Sequence, residues 1–269
     1  MRVDLLVPAV AAYPRFGKQP IGPPCTVGAH NDPTGSCPTM PQPPTPGPPP
    51  SRDHLWAPSY TMDWEFFFVP DQSDAPPYLP LPKTQYNRTT GSTWYSTAGG
   101  QTRMRETYNQ FCIPVFSEGV MGQRNDFSCD FINVNNVSHV VMHEDRPEGV
   151  PECCVIGDPF HPPPRDVFKL FPRSWSEEVG GTAVDWGAVW DKDAGIFSYG
   201  FEAEHEDVPY AFYMKGVPWI AEWMWQKFSN FSRVEPDEQV WQVPAACKTA
   251  QPCPGWEPSA RLGSWQQLV

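Results

Sequence analysis

Histidines beside carboxylates are the first residues in this 269-residue chain that could do chemistry. "HED" at 143–145 and "EHED" at 204–207 set His143 and His205 next to acids, as a general acid/base pair would require. His161 stands apart in a third segment. An imidazole flanked by acids is more often an exposed ion pair, and no second signal supports catalysis here. The chain has no G-x-S-x-G elbow, H-E-x-x-H zinc helix, P-loop or glycine-rich dinucleotide loop. A non-enzymatic protein is expected. The acids of "DKDAG" (Asp191, Asp193) and "EAEHED" (Glu202, Glu204, Glu206, Asp207) would be the ligands if calcium binds, since that ion takes six to eight oxygens. Gly195 falls one position early for an EF-hand loop, and such charges more often decorate a turn and a wet strand face. No cofactor is expected, with calcium the one ion the acids would suit.

Cysteine offers a different chemistry. Of the eight, Cys112, Cys129, Cys153, Cys154, Cys247 and Cys253 lie in or just after the region with folding signals, while Cys25 and Cys37 precede it. None forms a CxxC pair or a zinc spacing. Adjacent Cys153 and Cys154 bond to each other only with strain, so each is expected to staple a different partner, with 15 pairings open among six thiols. Three N-x-[ST] sequons, at Asn87, Asn136 and Asn230, join the dispersed cysteines in favouring an oxidising lumen or the cell exterior.

The third chemistry is apolar. "YAFYMKGVPWIAEWMWQKFSNF" (210–231) crowds large rings into a water-compatible stretch carrying Lys215, Glu222, Gln226 and Lys227. As a strand it places Trp219, Trp223 and Trp225 on one face and Ile220, Met224 and Phe228 on the other. A helix suits positions 219, 220, 223, 224, 227, 228 and 231 as well, but three tryptophans in seven residues behind a Tyr/Phe strand and a Gly-Val-Pro turn favour a hairpin. With bulk on both faces, one can pack a core and the other line a pocket, which in proteins is concave and mainly aromatic and aliphatic. The candidate pocket set is Phe212, Tyr213, Trp219, Trp223, Met224, Trp225 and Phe228. The competing expectation is that these rings fill a core or a dimer interface.

The elements that must position these groups read as strands. "DWEFFFVP" (63–70) is one; "GSTWYST" and "QTRMRETYNQFCIPVF" form a hairpin around Ala98–Gly100, with Thr102, Met104, Glu106 and Tyr108 sharing a face. "DFSCDFINVNNVSHVVMHED" is strand, Asn-rich turn, strand, and "GGTAVDWGAVWD" pairs with "IFSYGFEAEH". "CCVIGDPFHPPPRDVFKLFP" is too rich in proline for regular structure, and 165–178 holds at most a short helix. Eight to ten strands make a mainly β, antiparallel sandwich or half-barrel. Fifteen of 35 prolines precede residue 59, so 1–58 reads as an extended or disordered leader, 59–257 as one folded domain and 258–269 as a loose tail. "MRVDLLVPAVAAYP" has the outline of a signal peptide, with Asp4 and Pro8 interrupting its apolar run. No run of 18 apolar residues exists, and 19 basic against 31 acidic residues, without a basic cluster, disfavour nucleic acid and anionic membranes.

The order of elements resembles the ependymin and ependymin-related family. "STWYSTAGGQTRMRETYNQFC" is similar to its paired opening strands, "DFSCDFINV" with "PECCVIGD" to its mid-chain cysteine region, "VDWGAVWD" to its tryptophan-bearing strand, and "GVPWIAEWMWQKFSNF" with "WQVPAAC" to its closing strand and terminus. The likeness covers roughly 60–250. No cysteine lies between Cys154 and Cys247, where animal members often have one, so their disulfide pattern does not transfer whole. The resemblance implies two stacked, curved antiparallel sheets around an apolar cleft, a lipid-like ligand, a tendency to homodimerise, an association with calcium, and a secreted or lysosomal location. A carbohydrate-binding or adhesive module built on Trp/Tyr platforms is the alternative, and a secreted hydrolase with converging carboxylates or a triad ranks below it.

Overall fold

Asn135 and Asn136 both take left-handed backbone angles (φ 53° and 61°), which Asn tolerates better than most residues. The tight turn they make folds β5 (Cys129–Val134) onto β6 (Val137–Met142), with Val134 opposite Val137. At the next hairpin back, Gly99 and Gly100 supply the positive φ that lets β3 (Gln85–Ser96) return as β4 (Arg103–Tyr108).

The computed structural model describes residues 25–26, 47–50, 52–68, 85–114, 126–156, 162–191, 195–215 and 223–253. The remaining strands are β1 (Cys25–Thr26), β2 (Ser59–Phe68), β7 (Cys153–Ile156), β8 (Arg173–Val179), β9 (Thr182–Asp191), β10 (Gly195–Glu202), β11 (Pro209–Lys215), β12 (Trp223–Ser232) and β13 (Gln251–Pro252). They form one sheet in the order β13-β7-β6-β5-β4-β3-β2-β12-β11-β10-β9-β8, with β1 paired to β3. Every pairing is antiparallel except β13 on β7. The fold is therefore mainly β, with a single four-residue α-helix, α1 (Val167–Leu170), among the described residues. Two meanders, β2–β7 and β8–β12, are the two arms of this sheet, and the β2–β12 pair is the seam between them.

The sheet curls. Laid flat, β4 and β10 would stand about 24 Å apart at the usual strand spacing. Yet the Glu106 carboxyl of β4 acts on the Tyr199 phenol of β10, and one buried cluster contains Met104, Phe131 and Val140 from the first arm with Phe201, Phe212 and Met224 from the second. Alternation assigns the concave face. Tyr60, Met62, Trp64 and Phe66 of β2 point inward, and so do Met104, Glu106 and Tyr108 of β4. Phe197 and Tyr199 of β10, and Met224 and Phe228 of β12, complete that face.

Two expectations are corrected and a third, the short helix, is met. The fold begins before residue 59: His54, Trp56 and Ala57 are buried, because their side chains supply apolar bulk that the surrounding prolines do not. The "CCVI" segment is strand β7, held by β6 on one edge and β13 on the other. Residues 165–178 hold only the single turn α1 before β8 begins.

Candidate functional site: the hollow of the half-barrel

One end of the hollow is plugged. His54 places its Nε2 2.8 Å from the Asp185 carboxylate of β9 and its Nδ1 3.1 Å from the Glu206 carbonyl. Its ring stacks on Phe201 and meets the edge of Phe168 from α1. Trp56 is tied in both directions to Arg165: its N–H donates to the Arg165 carbonyl, and Arg165 Nε donates to the Trp56 carbonyl. Phe168 and Phe171 pack against Gly187, where a Cβ would come within 2.5 Å of the Phe171 ring. The helix that crosses from β7 to β8 thus needs glycine beneath it.

Toward the opposite end the lining is open. Phe111, Val189, Phe197 and Tyr199 pack on the central cluster but are only partly buried, and Glu106 likewise keeps part of its surface free. These are not outward-facing positions. Burial raises the Glu106 carboxyl above the usual carboxylate range, and burial followed by the Glu106 charge raises the Tyr199 phenol. These side chains, inward-facing yet only partly buried, line the hollow toward this end. The ends of β2, β9 and β11 and the starts of β3, β10 and β12 lie toward it; the connections 69–84, 192–194 and 216–222 lie outside the described residues.

Glu106 is the polar centre. Tyr108 donates its hydroxyl to Oε2 at 2.7 Å, and Thr93 donates to Oε1 at 3.2 Å. Thr93 in turn accepts the Trp64 indole N–H at 3.0 Å. Trp64 reaches that far because Gly91 beneath its ring has no Cβ; one would sit 2.2 Å from the indole. Three phenols, Tyr60, Tyr108 and Tyr199, feel the charge of this carboxyl. Tyr60 and Tyr108 are held well above their ordinary pKa by burial first and neighbouring charge second. Tyr95, stacked on Tyr60 at 4.9 Å, is pushed up to about 12, mainly by burial.

The sequence-expected pocket residues divide between the two faces. Phe212, Met224 and Phe228 join the concave cluster. Tyr213 and Trp225 belong to a separate convex cluster with Phe67, Trp175 and Trp186. A seven-residue set lining one cleft is therefore not what these strands present: neighbours along a strand face opposite ways. Trp219 lies outside the described residues, and of Trp223 only the backbone, opposite Lys215, is described. Glu106, Phe111, Phe197 and Tyr199, which face the hollow, are outside the sequence-expected set. The signal for Glu106 was on the page, a carboxylate alternating between Met104 and Tyr108.

The cysteines pair as Cys112–Cys129, Cys153–Cys247 and Cys154–Cys253, so the vicinal pair does staple two partners. Cys153 faces outward and Cys154 inward, and the C-terminal segment wraps the β7 edge to meet both. Asn136 is exposed at its turn and Asn230 is exposed with its amide on Asp63, while only the backbone of Asn87 is described.

Other candidate chemistry resolves into clamps. Ser128, His143 and Asp130 approach a hydrolase-like trio, with Ser128 Oγ 2.9 Å from His143 Nδ1 and Asp130 3.4 Å from Nε2. The Ser128 hydroxyl, however, donates to Asp145 at 2.7 Å, and Asp130 is held by Arg105 at 2.6 Å and Thr107 at 2.7 Å. Burial pushes the Asp130 carboxyl up, but the His143 bond, the Arg105 charge and the Thr107 bond outweigh it and hold it low. Asp207 is engaged by Arg233 and Glu202 by His205, Asp193 and His161 lie outside the described residues, and among the described residues no three His, Cys, Asp or Glu side chains gather to hold a metal. No helix among them is long and apolar enough to cross a membrane.

The sequence matches no protein-family model and no curated protein. Among solved structures it is similar to "Crystal structure of MucB", at 10% identity and a TM-score of 0.36 over 71% of this chain, and it spans 59% of that chain's length.

Proposed function

We propose that the protein binds a hydrophobic ligand, lipid or fatty-acyl in kind, inside its half-barrel, as a non-enzymatic secreted or lumenal protein of the ependymin-like type. One observation carries this reading: Phe111, Val189, Phe197 and Tyr199 pack against the concave cluster yet are only partly buried, where a filled core would cover them. Burying a chain there gains on the order of 0.8 kcal/mol per methylene, so ten methylenes suffice without chemistry. Three disulfides support an oxidising compartment. A sugar platform would display its tryptophans, whereas among the described residues Trp56, Trp64, Trp175, Trp186, Trp225 and Trp241 are buried and Trp94 is half-buried.

The test is native mass spectrometry with lipid extraction, followed by titration with Nile red. Wild type should retain lipid and bind the dye. Phe197→Asp should abolish dye binding at an intact fold, while Trp225→Ala, on the convex face, should lower the melting temperature and leave dye affinity within twofold. A lipid-free wild type blind to Nile red, or equal dye binding by Phe197→Asp, would sink the reading.

A further inference from the structure

The cleft has a polar end as well as an apolar wall, and the chemistry of that end selects a head group. On the proposed reading of the hollow as a ligand site, we infer that its ligand is an apolar molecule carrying a neutral hydroxyl, held at Glu106, rather than a carboxylate- or phosphate-headed lipid. The inference starts from hydrogen-bond accounting. Each Glu106 oxygen accepts one bond, Oε2 from Tyr108 and Oε1 from Thr93. A carboxylate has room for further donors, and a protonated carboxyl has one O–H to give. A hydroxyl satisfies either form, since it both donates and accepts.

The surroundings exclude the other heads. The groups acting on Glu106 are burial, Tyr108 and Thr93; no lysine or arginine is among them. The nearby titratable groups are the phenols of Tyr60, Tyr108 and Tyr199, and among the described residues Arg105 turns outward to Asp130 while Arg165 is tied to Trp56 at the plugged end. An anionic head brought here would be desolvated beside a carboxyl with no counter-charge, which is costly. Tyr199, an inward-facing and only partly buried residue across the hollow on β10, offers the hydroxyl a second partner. Phe197, Val189 and Phe111 then take the hydrocarbon.

Displacement of Nile red by decan-1-ol, decanoate, decylamine and decyl methyl ether tests this on the full, oxidised protein. Decan-1-ol should displace the dye at about tenfold lower concentration than the ether, which cannot donate, and than decanoate, as expected when a buried polar group loses its partner. Glu106→Gln, which still donates and accepts, should keep the alcohol-over-ether preference. Glu106→Met should lose it while Nile red itself still binds. Decanoate matching decan-1-ol on wild type would overturn the assignment, as would decylamine surpassing it, which would make the head cationic. So would an unchanged preference in Glu106→Met. Should Glu106→Met fail to fold, the wild-type ranking decides alone. Normal dye binding with no head preference defeats this inference only, whereas absent dye binding defeats the cleft itself.

Discussion

Glu106 costs the fold something that depends on pH. Burial raises its carboxyl pKa in the folded state above the unfolded value. A raised acid contributes its full stability below the unfolded pKa, where both states hold the proton, and loses it as pH rises through the folded pKa. The melting temperature of Glu106→Gln minus that of wild type should therefore be more favourable at pH 8 than at pH 4. Thermal melts at both values check this, and an equal difference would mean that Glu106 is not desolvated. Tyr108, Thr93 and Trp64 form a donor chain aimed at one acceptor, so the effect belongs to that carboxyl and not to the strand around it.

At the scale of elements, the C-terminal segment is a clasp over the β7 edge. Val240 and Trp241 cover Ile132, Val134 and Val141 on the convex side, Arg103 lies 4.8 Å over the Trp241 ring, and Cys153–Cys247 closes a separation of 94 residues. Cys247→Ser should cost about 3 kcal/mol of stability. It should also deprotect β6 and β7 amides in hydrogen exchange while leaving β10 and β11 unchanged; uniform loss would show that the clasp is not a separate unit. Much of this layer was legible. Alternation grouped Met104, Glu106 and Tyr108 on one face, and the glycines near 99 and asparagines near 135 gave the turns. Strain between adjacent cysteines called for two partners, which β7 supplies from its two faces. What was not legible depended on distant partners. Strand β7 is four residues between prolines and acquires its strand character from β6 and β13. His54 and Trp56 are core only because α1 and β9 receive them. The aromatic run carried no mark of which face would be concave, since curvature is set by the whole sheet.

For the whole molecule, the compartment is the open quantity that the disulfides and sequons bear on together. Produced in a eukaryotic secretory host, the protein should carry glycan on Asn136 and Asn230, both exposed. Intact mass before and after glycosidase should differ by at least one glycan, and six of its cysteines should resist alkylation without reductant. An unglycosylated product with reactive thiols would place it in a reducing setting. The same sheet has a seam, β2 against β12, joining its two arms. Every other long pairing links strands that are neighbours along the chain, but this one joins the start of the domain to nearly its end. During translation, β2 leaves the ribosome with β3 soon to cover one edge and nothing to cover the other. That bare edge, ten residues long with Phe66 and Phe67 in it, stays open until β12 is made. A chain truncated before Trp223 therefore ends as an adhesive half-sheet.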